Sequence, residues 1–279
     1  MTAVGSVVEI AARRWVAGRE LGDAIRATED LNTNKIGAII NHLGEGIRDR
    51  SQAKHSVKTS MEIIDAIKLR GLRADLTVKL TDLGLDIDPA LCSKNYAEVV
   101  KHAKSRGVFV WIDMEEYRFV DDALRIYSSM LRGGNTGICI QSYLRRSMDD
   151  VRKLDKRAVI RLVKGAYTDK EHGFPTRKEA TANYVLLMDY IFKNFGRFTI
   201  ATHDPSLIDI ALKMNKRYKK DVTYAMLRGV RSNYVRELAR SGEQVAVYVP
   251  FGEEIFGYTY RRLKELSNLK LIVRSLFGG

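Results

Sequence analysis

The sequence predicts a distorted (βα)8 barrel of TIM type, an α/β fold, preceded by an N-terminal helical extension. Three observations carry that expectation. Eight short apolar segments recur along the chain, each followed by residues with helical periodicity. The segments are apolar throughout rather than alternating, which suits strands covered on both faces. The first is followed by Asn41-His42-Leu43-Gly44-Glu45, which is not the glycine fingerprint that a doubly wound open sheet carries there. A closed barrel fits all three. Residues 1–32 are expected to form the extension and residues 33–279 the barrel.

Taken in order, residues 7–32 place Val8, Ile10, Ala11, Trp15 and Leu21 at helical spacing. Residues 35–40 read as the first strand, with a helix running to about residue 69. The second strand spans 75–80, stops at Leu83-Gly84, and leads to a helix over 96–105. After Gly107 comes a third strand, 108–112, and a helix through residue 130. The fourth strand is 136–140, followed by a helix over 148–154. The fifth lies in Val159-Ile160-Arg161-Leu162-Val163-Lys164-Gly165-Ala166-Tyr167, with its helix over 178–194. The sixth, 198–201, meets Asp204-Pro205, a capping residue with a proline suited to a first turn. The seventh, 221–227, precedes a helix over 233–239, and the eighth, 244–248, one over 253–266.

Composition narrows the function classes. With 279 residues, 45% of them hydrophobic, the chain has ample material for a large core. No apolar run is long enough to span a bilayer, and the first residues lack a hydrophobic signal segment, so a cytoplasmic protein is expected. Cys92 and Cys139 are far apart and lack metal-ligand spacing, which reads as buried free thiols. His42, His55, His102 and His172 suggest no metal site. The net charge of +13 is spread over nearly every helical stretch, so solvated faces account for most of it. An anionic ligand or transient contact with a membrane surface accounts for the rest. No aromatic-interleaved basic stripe points to nucleic acid.

The functional signal is at the strand ends, since barrel enzymes work at the C-terminal face of their strands. The second strand ends at Lys79, the third at Asp113 and the fourth at Gln141. The fifth carries Arg161 and Lys164, the sixth ends at Thr202-His203, and the eighth at Tyr248. Arg161 within an apolar run is costly unless an acceptor meets it. Gly165 removes a side chain where the strand ends, so a ligand can approach the backbone. Tyr258, Arg261, Arg262 and Glu265 share one helical face. Paired arginines there suit a carboxylate, and a solvated stripe is the competing reading.

These residues, in this order, resemble the proline dehydrogenase family. The resemblance rests on Val78-Lys79-Leu80-Thr81-Asp82-Leu83-Gly84, Asp113-Met114-Glu115, Gln141-Ser142-Tyr143-Leu144, the stretch from Arg161 to Tyr167, Ala201-Thr202-His203 and Tyr258-Thr259-Tyr260-Arg261-Arg262. It covers about residues 43–265 and suggests a stand-alone enzyme without a fused aldehyde dehydrogenase. It implies FAD-dependent oxidation of L-proline to Δ1-pyrroline-5-carboxylate, with electrons passing to a quinone or another acceptor. By the same resemblance Arg261, Arg262 and Lys79 would bind the proline carboxylate, while Tyr248 and Leu227 would pack on its ring and Tyr167 would close over it. Asp113 would balance the cations. Arg161, Gln141 and Met114 would contact the flavin ring. Lys164, Gly165, Ala166, Thr202 and His203 would hold the rest of the cofactor, and Glu265 would buttress the clamp or reach the ribose. The chain departs from the family at Thr168, where an aromatic is common, and at Tyr224 and Ala225, where Glu and Gln are usual. A phosphate-binding aldolase or FMN oxidoreductase would instead predict a glycine-rich loop after strands seven and eight, and Arg228-Gly229-Val230-Arg231 is a weak version of one.

Overall fold

The computed structural model describes residues 12, 14–44, 47–166 and 169–259. Eight parallel strands close into a barrel in sequence order: β1 (Gly37–Leu43), β2 (Ala74–Val78), β3 (Val110–Ile112), β4 (Thr136–Gln141), β5 (Ile160–Val163), β6 (Arg197–Ala201), β7 (Asp221–Leu227) and β8 (Gln244–Gly252). β8 pairs with β1 to complete the ring. The helices are α1 (Leu21–Thr33), α2 (Arg50–Leu69), α3 (Pro89–Arg106), α4 (Val120–Met130), α5 (Ser147–Lys153), α6 (Arg177–Asn194), α7 (Pro205–Tyr218) and α8 (Ser232–Arg240). The largest hydrophobic cluster includes Ile40, Val110, Ile138, Leu162 and Ile200 on the outer face of the wall. Helix residues such as Ile63, Val99, Ile126 and Leu187 belong to the same cluster.

Local chemistry fixes where the helices begin. Asp49 accepts from the amides of Ser51 and Gln52, Asp88 from that of Ala90, and Asp204 from that of Ser206. These side chains satisfy donors that a helix N-terminus leaves open. Thr176 and Glu179 form a reciprocal capping box on α6. The Asp88 cap, with Pro89 in the first turn, starts α3 seven residues before the position read from the apolar pattern.

Three differences from the sequence reading have physical causes. The helix expected over 7–32 is interrupted, and α1 starts only at Leu21. The amide of Ala17 donates to Pro250 O (2.8 Å) and that of Gly252 to Gly18 O (3.0 Å), so this segment runs along the end of β8 instead. β8 itself extends beyond 248, because its register with β1 continues through Asn41–Pro250, His42–Phe251 and Leu43–Gly252. Gly252 has φ +131°, and a Cβ there would lie 2.5 Å from Leu43 O, so the position requires glycine.

The third difference concerns the helix after β8. Residues 255–259 are helical, and Tyr258 is buried with Trp15, Val16, Leu43 and Val230 beside Leu227 and Tyr248. Leu43 and Leu227 end their strands, so this helix begins across the barrel mouth. α1 packs beside β8, burying Ala24, Ile25 and Thr28. Among the described residues no helix is long and apolar enough to cross a membrane.

Candidate active site

Inside the barrel, alternate strand residues point away from the helices, and one of them is Arg161. It pairs in register with Cys139 of β4 and Thr199 of β6 and is 2% exposed. Its Nε donates to Cys139 Sγ (2.8 Å), and its Nη2 donates to Thr77 Oγ1 (2.9 Å) and to Asp113 Oδ1. Tyr248 Oη donates to the other Asp113 oxygen (2.8 Å). Aromatic faces complete the surroundings, with the guanidinium carbon 5.0 Å from the Trp111 ring centre and 5.9 Å from that of Tyr248.

Burial works against the charge of Arg161, but the hydrogen bond to Cys139 and the facing Asp113 carboxylate outweigh it and hold its pKa above the ordinary arginine value. The guanidinium is therefore a permanent cation. Burial pushes the Cys139 thiol up to about 12, so at neutral pH it is an S–H group. It accepts from Arg161 and donates to Asp113 (3.5 Å). A buried ion pair supported by further hydrogen bonds is the arrangement that makes a cation tolerable in a strand.

Next to this hub, Gln141 ends β4, buried, and its Nε2 donates to Glu115 O (3.0 Å). Glu115 accepts from the amide of Thr81 (3.1 Å) and from its hydroxyl (2.5 Å). Burial pushes this carboxyl up to about 7, with Asp82 adding to the rise and the Thr81 bonds and Lys79 opposing it. The bonds from Thr81 tie the turn after β2, where Lys79 sits half-buried, to the segment after β3 that carries Met114. After β5, Lys164 Nζ lies 3.6 Å from the Asp204 carboxylate. Gly165 takes φ +108°, and a Cβ would come within 2.8 Å of Gln141 Oε1. Its backbone can therefore lie against Gln141 only because it lacks a side chain. Thr202 is buried, its hydroxyl accepting from the Asp204 amide (3.2 Å). Leu227 and Tyr248 are register partners on β7 and β8.

The structure therefore brings Asp113, Arg161 and Tyr248 together, with Lys79, Met114, Gln141, Lys164, Gly165, Ala166, Thr202, His203 and Leu227 at the same end of the barrel. Tyr167, Arg261, Arg262 and Glu265 lie outside the described residues, as does Thr168. Tyr224 is buried in the outer wall and Ala225 faces the interior. Residues missed in the sequence are Thr77, Cys139, Trp111 and Glu115. A period of two counted back from Lys79, Asp113 and Gln141 reaches Thr77, Trp111 and Cys139, so the signal was present. A cavity of about 790 Å³ lies elsewhere, against the outer side of β8 between α1 and α8. Of the predicted site residues only Leu227 lines it.

A family model described as proline dehydrogenase matches residues 24–270. The chain belongs to the proline dehydrogenase family. Proline dehydrogenase 1 of Bacillus subtilis (strain 168) is 31% identical over 262 residues, covering 92% of this chain and 87% of that protein. The proline dehydrogenase of Deinococcus radiodurans is 29% identical over 280 residues, covering 96% and 90% respectively. Among solved structures, proline utilization A (PutA) from Bdellovibrio bacteriovorus, inactivated by N-propargylglycine, superposes with a TM-score of 0.88 at 22% identity. That match covers 99% of this chain and 34% of the PutA chain, so this chain spans about a third of it. At that identity the likeness shows the shared barrel. Membership of the proline dehydrogenase family implies a flavin cofactor.

Proposed function

We propose that this proline dehydrogenase-family chain oxidises L-proline to Δ1-pyrroline-5-carboxylate with FAD, the first step of proline breakdown, and passes the electrons to a quinone or another acceptor. Residues 33–279 would form the catalytic barrel and residues 1–32 its extension. The observation that carries the reading is the Arg161–Asp113–Tyr248 hub at the barrel mouth, in a chain that matches the family over residues 24–270.

The hub suits a flavin. Among the described residues Arg161 Nη1 is a buried donor without an acceptor, and Gln141 Oε1 a buried acceptor without a donor. They stand on neighbouring strands β4 and β5. Buried polar atoms are rarely left unpaired, and a flavin ring edge offers both donor and acceptor groups. Arg161, Gln141 and Met114 would hold that ring, and Lys164, Gly165, Ala166, Thr202 and His203 the remainder of FAD, with Glu265 in support. When bound, the flavin supplies the acceptor for the hydride that leaves the proline ring carbon beside nitrogen.

The protein supplies orientation and electrostatics. Proline is a small zwitterion with an apolar ring. Lys79, Arg261 and Arg262 would take its carboxylate, and Leu227, Tyr248 and Tyr167 would enclose its ring. The ammonium proton of proline would be lost to solvent first, so that the nitrogen lone pair can form the C=N bond as the hydride leaves. Both Asp113 oxygens are already engaged, by Arg161 and by Tyr248. Asp113 therefore balances the buried cation and fixes the Tyr248 ring rather than taking that proton. A permanent cation at Arg161 favours the electron-rich reduced cofactor.

The test is a visible spectrum of the purified protein, with the released flavin identified, followed by anaerobic addition of proline. A yellow protein that releases FAD and is bleached by proline is expected. Release of FMN alone, or a colourless protein that FAD does not reconstitute, would overturn the proposal.

A further inference from the structure

One face of the Arg161 guanidinium has no hydrogen-bonding explanation. Nε and Nη2 are engaged, Nη1 has no acceptor among the described residues, and the nearest aromatic face is Trp111, 5.0 Å from the guanidinium carbon. An indole face attracts a guanidinium, more strongly when both are desolvated. Trp111 is 2% exposed. Its Nε1 donates to Asp75 Oδ2 (2.9 Å), so the ring is tethered at its polar edge. Phe109 packs edge-on against it, with ring centres 5.0 Å apart. Across the ladder its register partner is Gly137, where a Cβ would lie 2.5 Å from the ring. The room for the indole thus exists because that position is glycine.

We propose that Trp111, tethered through Asp75 and accommodated by Gly137, is a positioning residue that sets the orientation of Arg161 toward the cofactor. The inference rests on the proposed flavin chemistry of this mouth and adds a layer beneath it. Asp75 faces more than the indole: Arg197, Arg161 and Arg73 all act on it, while burial raises its pKa. The tether is therefore part of the same charge set as the hub.

The experiment compares FAD-loaded wild type with Trp111→Leu, Trp111→Phe and Gly137→Ala, reading the flavin midpoint potential and the split between kcat and KM for proline. Trp111→Leu should make the potential more negative and lower kcat about tenfold, with KM changed less than twofold. Trp111→Phe keeps an aromatic face and should recover most of kcat. Gly137→Ala keeps both residues but displaces the indole, so it must move the potential in the same direction. A flavin-independent readout uses the two tryptophans of the chain. In a Trp15→Phe background the emission of Trp111 should change on Arg161→Met. Unmoved potential in either Trp111→Leu or Gly137→Ala, or unchanged emission, would overturn the inference. A wild type that proline cannot reduce, with the shifts in potential and emission present, would instead sink the reading of the reaction.

Discussion

Among the arginines paired with carboxylates, Arg146 and Arg161 differ most usefully in what surrounds the pair. Arg146, just before α5, reaches both oxygens of Asp150 through Nε (3.1 and 2.9 Å), with Nη2 on Asp150 (3.0 Å) and on Asp121 of α4. Its side chain is 24% exposed and Asp121 is 81% exposed. Among the described residues Arg161 has one carboxylate, shared with Tyr248, and fills its other contacts with a hydroxyl, a sulfur and aromatic faces, leaving one donor over. The first arrangement satisfies charge with charge and clamps two outer segments. The second keeps a permanent cation in the interior with incomplete protein pairing, which is what a ligand site requires. Burial alone does not mark function. The kind of partner does.

The largest expected effect breaks the interior pair. Asp113→Ala leaves Arg161 without its carboxylate and Tyr248 without its acceptor, so a preorganised donor is lost from position and kcat/KM for proline should fall by roughly 100- to 1000-fold. Steady-state kinetics on a variant shown to be folded by circular dichroism would measure it. Near-normal turnover would make Asp113 an ordinary strand-end residue.

Glu115 sharpens the contrast, as a buried carboxyl whose hydrogen bonds come from Thr81 instead of an arginine. Its pKa is raised from 4.5 to about 7. Between those values the folded state holds a proton that the unfolded state has released. Its contribution to stability therefore falls as pH rises through that window. Glu115→Gln has no such loss, so relative to wild type its stability should improve by about 3 kcal/mol between pH 5 and 8. Urea denaturation at several pH values should show the gap widening, and a constant gap would contradict the assignment.

The exterior clamp should affect stability without touching chemistry. Arg146→Met is expected to cost about 1–3 kcal/mol of unfolding free energy, read from denaturant midpoints, while kcat/KM for proline stays within about twofold. The smallest effect belongs to the half-exposed Lys164–Asp204 pair. Lys164→Ala should weaken FAD binding by less than about tenfold, since such pairs contribute about 1 kcal/mol or less. Fluorescence titration of the apoprotein with FAD would show it.

The barrel was legible in the sequence because eight apolar runs each needed cover on two faces, and the cap at Asp204-Pro205 marked a helix start. The interruption before Leu21 was not legible, because it depends on hydrogen bonds to Pro250 and Gly252, more than 230 residues away. At the site, the strand-end positions of Lys79, Asp113, Gln141 and Tyr248 could be read directly. Cys139 and Trp111 look like core residues in isolation. The period of two back from Asp113 and Gln141 points them inward, and the closed register shows that they face the same interior as Arg161.

The central claim is that Arg161, held by Asp113 and its neighbours, belongs to the chemistry and not to the scaffold. Rapid-mixing measurement of flavin reduction by saturating proline, without oxygen, in FAD-loaded Arg161→Met tests it most directly. Removing a preorganised donor at a reacting centre typically slows a step by about 100- to 1000-fold, and a loss of that size is predicted in a variant that stays folded. A reduction rate within about threefold of wild type would contradict the account.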